Sequence, residues 1–220
     1  MTAAALTRRT DDDMDTPDEA GFTIEDLHAI PEGRLRYELI EGSLHVSPSA
    51  TAGHNVIGRW IANLLEVAGQ SEEYFVSTDQ SVTIDGHNEV RPDIVVARVD
   101  ALDVTPFPID AAILAVEIVS PTSVTRDNET KRALYARAGV PSYWIVDPSG
   151  ESTSGDDSIG LVEFALDPAK GAYRYVTHYT THVFRTDTPW PVEIDLPAMT
   201  ARLARIRGRA QSNLRRGNEA

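Results

Sequence analysis

The sequence predicts an α/β domain, and three stretches carry that expectation. Residues 91–97 (RPDIVVA) and 111–120 (AAILAVEIVS) are apolar runs of strand length, the pattern of strands covered on both faces. Between Ala52 and Ala68, the positions Val56, Ile57, Trp60, Ile61, Leu64, Leu65 and Ala68 keep the i, i+3, i+4 spacing of one helix face. A further apolar segment, VPSYWIVDP (140–148), follows a helix expected over about 127–138 and reads as another core strand.

Residues 1–20 are Ala, Thr and Asp rich with no apolar period, and are expected to be a disordered acidic tail. Thr23 with Asp26 forms a capping-box signal for a short helix through Ala29, stopped by Pro31 and Gly33. RYELIEGSLHVSP (36–48) alternates about Glu41-Gly42 and predicts a β-hairpin. The helix over 52–68 has Ser49 or Thr51 available as N-cap and Gly69 at its end. Strands are expected at Tyr74–Ser77 and Ser81–Ile84, then a turn at 85–88 and, after the 91–97 strand, a Pro-containing loop over 98–110. On the 127–138 helix, Lys131, Leu134, Tyr135 and Ala138 share one stripe, with Gly139 at C′. Residues 150–158 lack apolar pattern and read as a loop. Antiparallel strands follow at 160–166, 172–184 and 190–195. A terminal helix from Leu196 to about Arg209 would put Met199, Leu203 and Ile206 on one face and arginines on the others. The expected organisation is a tail (1–20), one domain (21–196) and an Arg-rich C-terminal helix and tail (197–220).

Composition narrows the function classes. There is no cysteine, so disulfides and thiolate metal sites are excluded and any metal must be held by oxygen or imidazole. The apolar runs are short of the roughly 20 residues a membrane helix needs, and the acidic N-terminus is unlike a signal peptide, so a cytoplasmic protein with no membrane partner is expected. The net charge of −14 opposes nonspecific binding to a phosphate backbone. The charge is uneven, however: residues 201–220 carry six arginines against Glu219, a local +5. If nucleic acid binds, that segment has to help.

The anomaly is Glu117, a carboxylate inside a run of Ile113, Leu114, Ala115, Val116, Ile118 and Val119. Burying a carboxylate costs several kcal/mol, roughly, unless it is neutralised, paired or bound to a cation. Asp93 poses the same question ahead of Ile94, Val95 and Val96, and Glu38 is a third acid on a strand. These hard oxygen donors suit Mg²⁺ or Mn²⁺ and so metal-assisted phosphodiester hydrolysis; a structural reading, with the acids in salt bridges to Arg91, Lys131 or Arg132, stands beside it. Lys131, aligned with the inward face, either snorkels to water or reaches the carboxylates. His54 is either packed at a helix start or placed beside the site, touching a metal-bound water or a phosphate.

The order YELIEG, a helix opening with GH, RPDIVVA, AVEIVSP, a D-x-x-x-K helix and AGVPSYWIVDP resembles the Uma-two family over residues 22–196. That resemblance implies a restriction-endonuclease-like core of the PD-(D/E)xK type, a central mixed sheet flanked by helices, with additional antiparallel strands. By the family pattern Asp93 and Glu117 are metal-binding acids, the Ile118 carbonyl is a further metal ligand, and Glu38 is the upstream acid. The lysine that the nuclease pattern expects two residues after the second acid is Val119 here, and Lys131 is the candidate to replace it. The expected activity is that of a Mg²⁺- or Mn²⁺-dependent DNA endonuclease, with Asp93, Glu117, Lys131 and Glu38 catalytic, His54 accessory, and a homodimer, because cutting both strands needs two sites or repositioning. The alternatives are a catalytically silent nucleic-acid-binding or regulatory domain and a protein-interaction module that uses the acidic body.

Overall fold

The computed structural model describes residues 21–31, 35–47, 50–69, 72–120, 123–148 and 157–218. The expected tail (1–20) and most of the loop at 150–158 lie outside them.

The capping box forms as predicted. Thr23 Oγ1 accepts from Asp26 N while Asp26 Oδ2 accepts from Thr23 N, and helix α1 runs Ile24–Ala29. Strands β1 (Arg36–Ile40) and β2 (Ser43–Ser47) make the hairpin, with Glu38 opposite His45. The turn needs positive φ at both central residues; Gly42 takes φ 72 freely and Glu41 is held at φ 50. Thr51 caps helix α2 (Ala52–Ala68) by accepting from His54 N, and Gly69 ends it.

The remaining strands are β3 (Tyr74–Thr78), β4 (Val82–Asp85), β5 (Asn88–Val90), β6 (Ile94–Arg98), β7 (Phe107–Pro108), β8 (Ala112–Ile118), β9 (Ser142–Asp147), β10 (Gly160–Asp167), β11 (Ala172–Thr180), β12 (Val183–Thr186) and β13 (Val192–Asp195). The strand expected over 172–184 is thus two, broken at Thr181-His182. A six-stranded sheet has the order β11-β10-β9-β8-β6-β3, in which β8 and β9 are parallel and the other pairs antiparallel. A five-stranded sheet has the order β2-β1-β5-β4-β7, and β12 pairs with β13. Three differences from expectation lie in the helices. The 127–138 helix begins as a π-helical turn, Arg126–Lys131, and continues as α3, Arg132–Arg137. Helix α4 runs Leu196–Asn218, well past Arg209. Met199 and Leu203 are buried on it, whereas Ile206 is 47% exposed, because the core ends one turn earlier than the apolar spacing.

Period-two alternation sorts the central strands between two cores. Ile94, Val96, Leu114, Val116, Ile118, Trp144 and Val146 pack with Ile57, Ile61 and Leu65 of α2, Phe184, Ile194 and the first turns of α4. Val95, Ala97, Ala115, Val119, Tyr143 and Ile145 pack with Leu134 and Tyr135 of α3 and with Ile40, Val82, Val90 and Phe107 of the other sheet. Both faces of the six-stranded sheet are therefore covered, as the apolar runs required. Among the described residues, no helix is long and apolar enough to cross a membrane.

Candidate active site

Glu117 shares the β8 face of Ala115 and Val119, the face covered by α3. At that position it is 3% exposed. Its Oε1 accepts from Lys131 Nζ at 3.0 Å and from Tyr135 OH at 2.9 Å. Burial pushes the Glu117 carboxyl well above the ordinary glutamate value; Lys131 opposes this, and Asp127, Asp93 and Glu38 reinforce it.

Lys131 does not snorkel. It is 3% exposed, and its ammonium also meets Glu38 Oε1 at 2.7 Å and Asp127 Oδ1 at 3.9 Å. Burial works against its charge, yet Glu117, Glu38 and Asp127 together hold its pKa above the usual lysine value. The ammonium thus stays protonated at every pH at which the fold is of interest. The π-helical turn carries this arrangement: Asp127 and Lys131, four residues apart, both point inward, and Tyr143 OH donates to the Asp127 carbonyl at 2.9 Å.

Glu38 arrives from the other sheet. It is 2% exposed, and its Oε1 also accepts from Arg91 N at 2.8 Å, in the link between β5 and β6. Burial raises its pKa, but Lys131, the Arg91 amide and Arg126 outweigh that and leave it below the ordinary glutamate value. The two buried glutamates on one lysine are therefore shifted in opposite directions, Glu38 downward and Glu117 upward.

Asp93 sits at the mouth of the same site. The β6–β8 register pairs Ile94 with Val116, so one further step puts Asp93 opposite Glu117. Its Oδ2 accepts from Ile118 N at 2.7 Å and lies 3.4 Å from His54 Nε2. His54 Nε2 donates to the Ile118 carbonyl at 2.9 Å, and its Nδ1 is buried with no hydrogen-bond partner among the described residues. Burial works against the imidazolium, but Asp93 and the Ile118 carbonyl raise the His54 pKa above the ordinary value.

All six residues singled out from the sequence therefore line one cleft of about 1130 Å³, as two linked groups. Lys131 gathers Glu38, Glu117 and Asp127; Asp93 and His54 meet around the Ile118 backbone. The hard-oxygen donor set suits a divalent cation: Asp93 Oδ2 is hydrogen-bonded to the Ile118 amide, Glu117 and the Ile118 carbonyl are neighbours along β8, and three carboxylates surround one lysine. Among the described residues no three His, Asp or Glu side chains form a ready cage. Two carboxylates plus a carbonyl is an open set of the kind Mg²⁺ fills while keeping several waters.

Three residues were missed. Asp127 had a signal, four residues before Lys131 on the same face. Tyr135 lay in the same stripe and read only as apolar core. Arg126 carried no periodic signal; it lines the cleft, and its Nε is buried with no hydrogen-bond partner among the described residues. Two other cleft arginines, Arg36 and Arg91, are engaged with Asp79.

A mixed sheet covered on both faces, with acids at the ends of adjacent antiparallel strands and a lysine on the following helix, defines a restriction-endonuclease-like α/β protein. The chain belongs to the Uma2 family, described as "Putative restriction endonuclease", whose model matches residues 24–155. It is similar to the crystal structure of a "putative nuclease belonging to DUF820" from Anabaena variabilis, with a TM-score of 0.61 and 14% identity, over 83% of this chain and 99% of that one. At that identity the likeness is one of fold. Comparison with curated proteins gave no match.

Proposed function

We propose that the chain is a Mg²⁺-dependent DNA endonuclease, with Asp93, Glu117 and the Ile118 carbonyl holding the cation. The observation that carries this reading is the convergence of Glu38, Asp93, Glu117 and Lys131 from separate elements onto one cleft. A bound divalent cation supplies an activated water and charge stabilisation at the phosphate. A cation held there would favour the charged Glu117 carboxylate, the form that burial opposes. Lys131 keeps its proton throughout and offers a fixed positive charge beside the acids. In this reading Lys131 takes the role that Val119 leaves without a lysine. Glu38 holds Lys131 in place through the 2.7 Å ion pair and ties the β5–β6 link to the site through Arg91 N. Arg126, with its buried unpartnered Nε on the cleft wall, is a cation available for a phosphate oxygen.

The test is nicking of supercoiled plasmid by purified protein in Mg²⁺ and in Mn²⁺, beside Asp93→Asn and Glu117→Gln. Metal-dependent nicking by the wild type, lost in both folded variants, is expected. No nicking by the wild type, or equal nicking by all three, would move the assignment to a nucleic-acid-binding domain that keeps the fold without the chemistry.

A further inference from the structure

Helix α4 is anchored at its start and exposed from Ala204 to Ser212. Leu196, Met199 and Leu203 are buried, and the Arg202 guanidinium lies 4.5 Å from the centroid of the Trp60 ring on α2. From Ala204 to Ser212 every side chain is exposed. The tertiary fold therefore does not explain why this part is helical or why it is there.

Its chemistry points outward. The whole of α4 contains no acidic residue, in a chain with 34 acids against 20 lysines and arginines. Arg205, Arg207 and Arg209 follow one another on the exposed stretch, and none makes an ion pair with a carboxylate among the described residues. In so acidic a protein, unpaired cations collected on one element mark a surface kept for an anion from outside. Arg205 and Arg209 share one side of the helix, and Arg207, two residues from each, faces the other and locates the arm. Arg207 lines the same cleft as Asp93 and Glu117, and its Nη2 lies 3.9 Å from where a Cβ on Gly53 would be, one residue before His54. A helix rises about 1.5 Å per residue, so the part beyond Leu203 extends roughly 20 Å from its anchor. The guanidinium fork matches phosphate geometry, and contacts of this kind fix register without reading sequence.

We propose that α4 beyond Leu203 is a duplex-DNA-binding arm, in which Arg205, Arg207 and Arg209 hold the sugar-phosphate backbone as the duplex enters the carboxylate cleft. The choice of DNA rests on the nuclease reading; the binding itself needs no cleavage. With the body of the protein strongly acidic, the arm carries most of the affinity.

The experiment measures binding of a fluorescein-labelled 30-base-pair DNA duplex by anisotropy, in EDTA, over a KCl series. The wild type is compared with the triple variant Arg205→Gln, Arg207→Gln, Arg209→Gln. Each phosphate contact contributes about 0.9 to the slope of log K against log salt, so the triple variant should lose nearly three from that slope and bind about 500-fold more weakly at 0.1 M salt. Because all three side chains are exposed, its melting temperature should match the wild type. Equal affinity and slope in the two proteins would overturn the proposal, as would absence of binding by the wild type. Tighter wild-type binding to an RNA duplex of the same sequence would overturn the choice of DNA. A change from dimer to monomer in the triple variant, read by sedimentation, would make the arm a contact between copies and also overturn it. The metal-free assay separates the two readings: arm-dependent binding with no plasmid nicking by the wild type sinks the nuclease and leaves the arm standing.

Discussion

Replacing Lys131 with methionine keeps most of the side-chain volume and removes the charge. Its ammonium sits 2.7 Å from Glu38, 3.0 Å from Glu117 and 3.9 Å from Asp127, all buried. Removing one partner of a buried ion pair costs about 3–5 kcal/mol, because a charge is left without compensation. Here the protein has an escape, since a carboxyl can take up a proton. That costs about 1.36 kcal/mol for each pH unit above an ordinary glutamate pKa of about 4.3, hence about 5 kcal/mol at pH 8 but only about 1 at pH 5. The penalty should therefore be about 3–5 kcal/mol at pH 8 and fall to about 1 at pH 5. The sign follows from linkage: an acid whose folded pKa lies above its unfolded value binds more protons in the native state, so stability falls as pH rises through that interval. Lys131 itself adds no slope there, because its raised pKa keeps it charged in both states until well above pH 8. Urea unfolding at pH 5, 6.5 and 8 measures the effect, and adding Glu38→Gln to the variant should recover much of the pH 8 loss. A penalty below about 1 kcal/mol that does not change with pH would refute the reasoning, since it would mean the three acids are not buried around this lysine.

Further outcomes follow from the same geometry. Glu117→Gln keeps an acceptor for Lys131 and Tyr135 and removes a carboxyl whose charged form is disfavoured, so in urea melts it should equal or exceed wild-type stability, with an advantage that grows from pH 5 to pH 8; a shrinking advantage would contradict the raised Glu117 pKa. Mg²⁺ at a hundredfold excess over its dissociation constant should add about 2.7 kcal/mol, seen as a higher melting temperature in the wild type and not in Asp93→Asn; an equal rise in both would remove Asp93 from the cation site. Arg126→Met should slow plasmid nicking on the order of 10²-fold in protein that still melts cooperatively, and a variant that nicks normally would exclude a role at the phosphate. Thr51→Ala should cost about 1 kcal/mol in denaturant melts through loss of the α2 cap, and no change would mean that water replaces it.

Secondary structure was legible where the signal is local. The α1 capping box, the turn at Glu41-Gly42, the Thr51 cap and the apolar stripe of α2 depend on residues within four positions of one another, and they stand where spacing put them. The acids on strands were legible for the opposite reason: Glu117 inside an apolar run violates the pattern around it, and such violations collect at functional sites. What spacing could not give was the break between β11 and β12, the π-helical start before α3, or the length of α4, since none follows from an apolar period. Ile206 shows the limit. It keeps the spacing of Met199 and Leu203, yet it is exposed because the core beneath it has ended.

The sequence by itself determined which residues need explaining: three acids on strands, a lysine on the inward stripe of a helix, and a basic terminal segment on an acidic chain. The tertiary structure alone decided that Lys131 is clasped by Glu38 and Glu117 rather than extended to water, that Asp93 turns to the Ile118 amide and His54, and that Arg126 and Arg207 share their cleft. The physical reason is range. Capping and periodicity are settled between near neighbours along the chain, whereas a buried charge takes its state from groups that strand register and sheet packing bring together from tens of residues away.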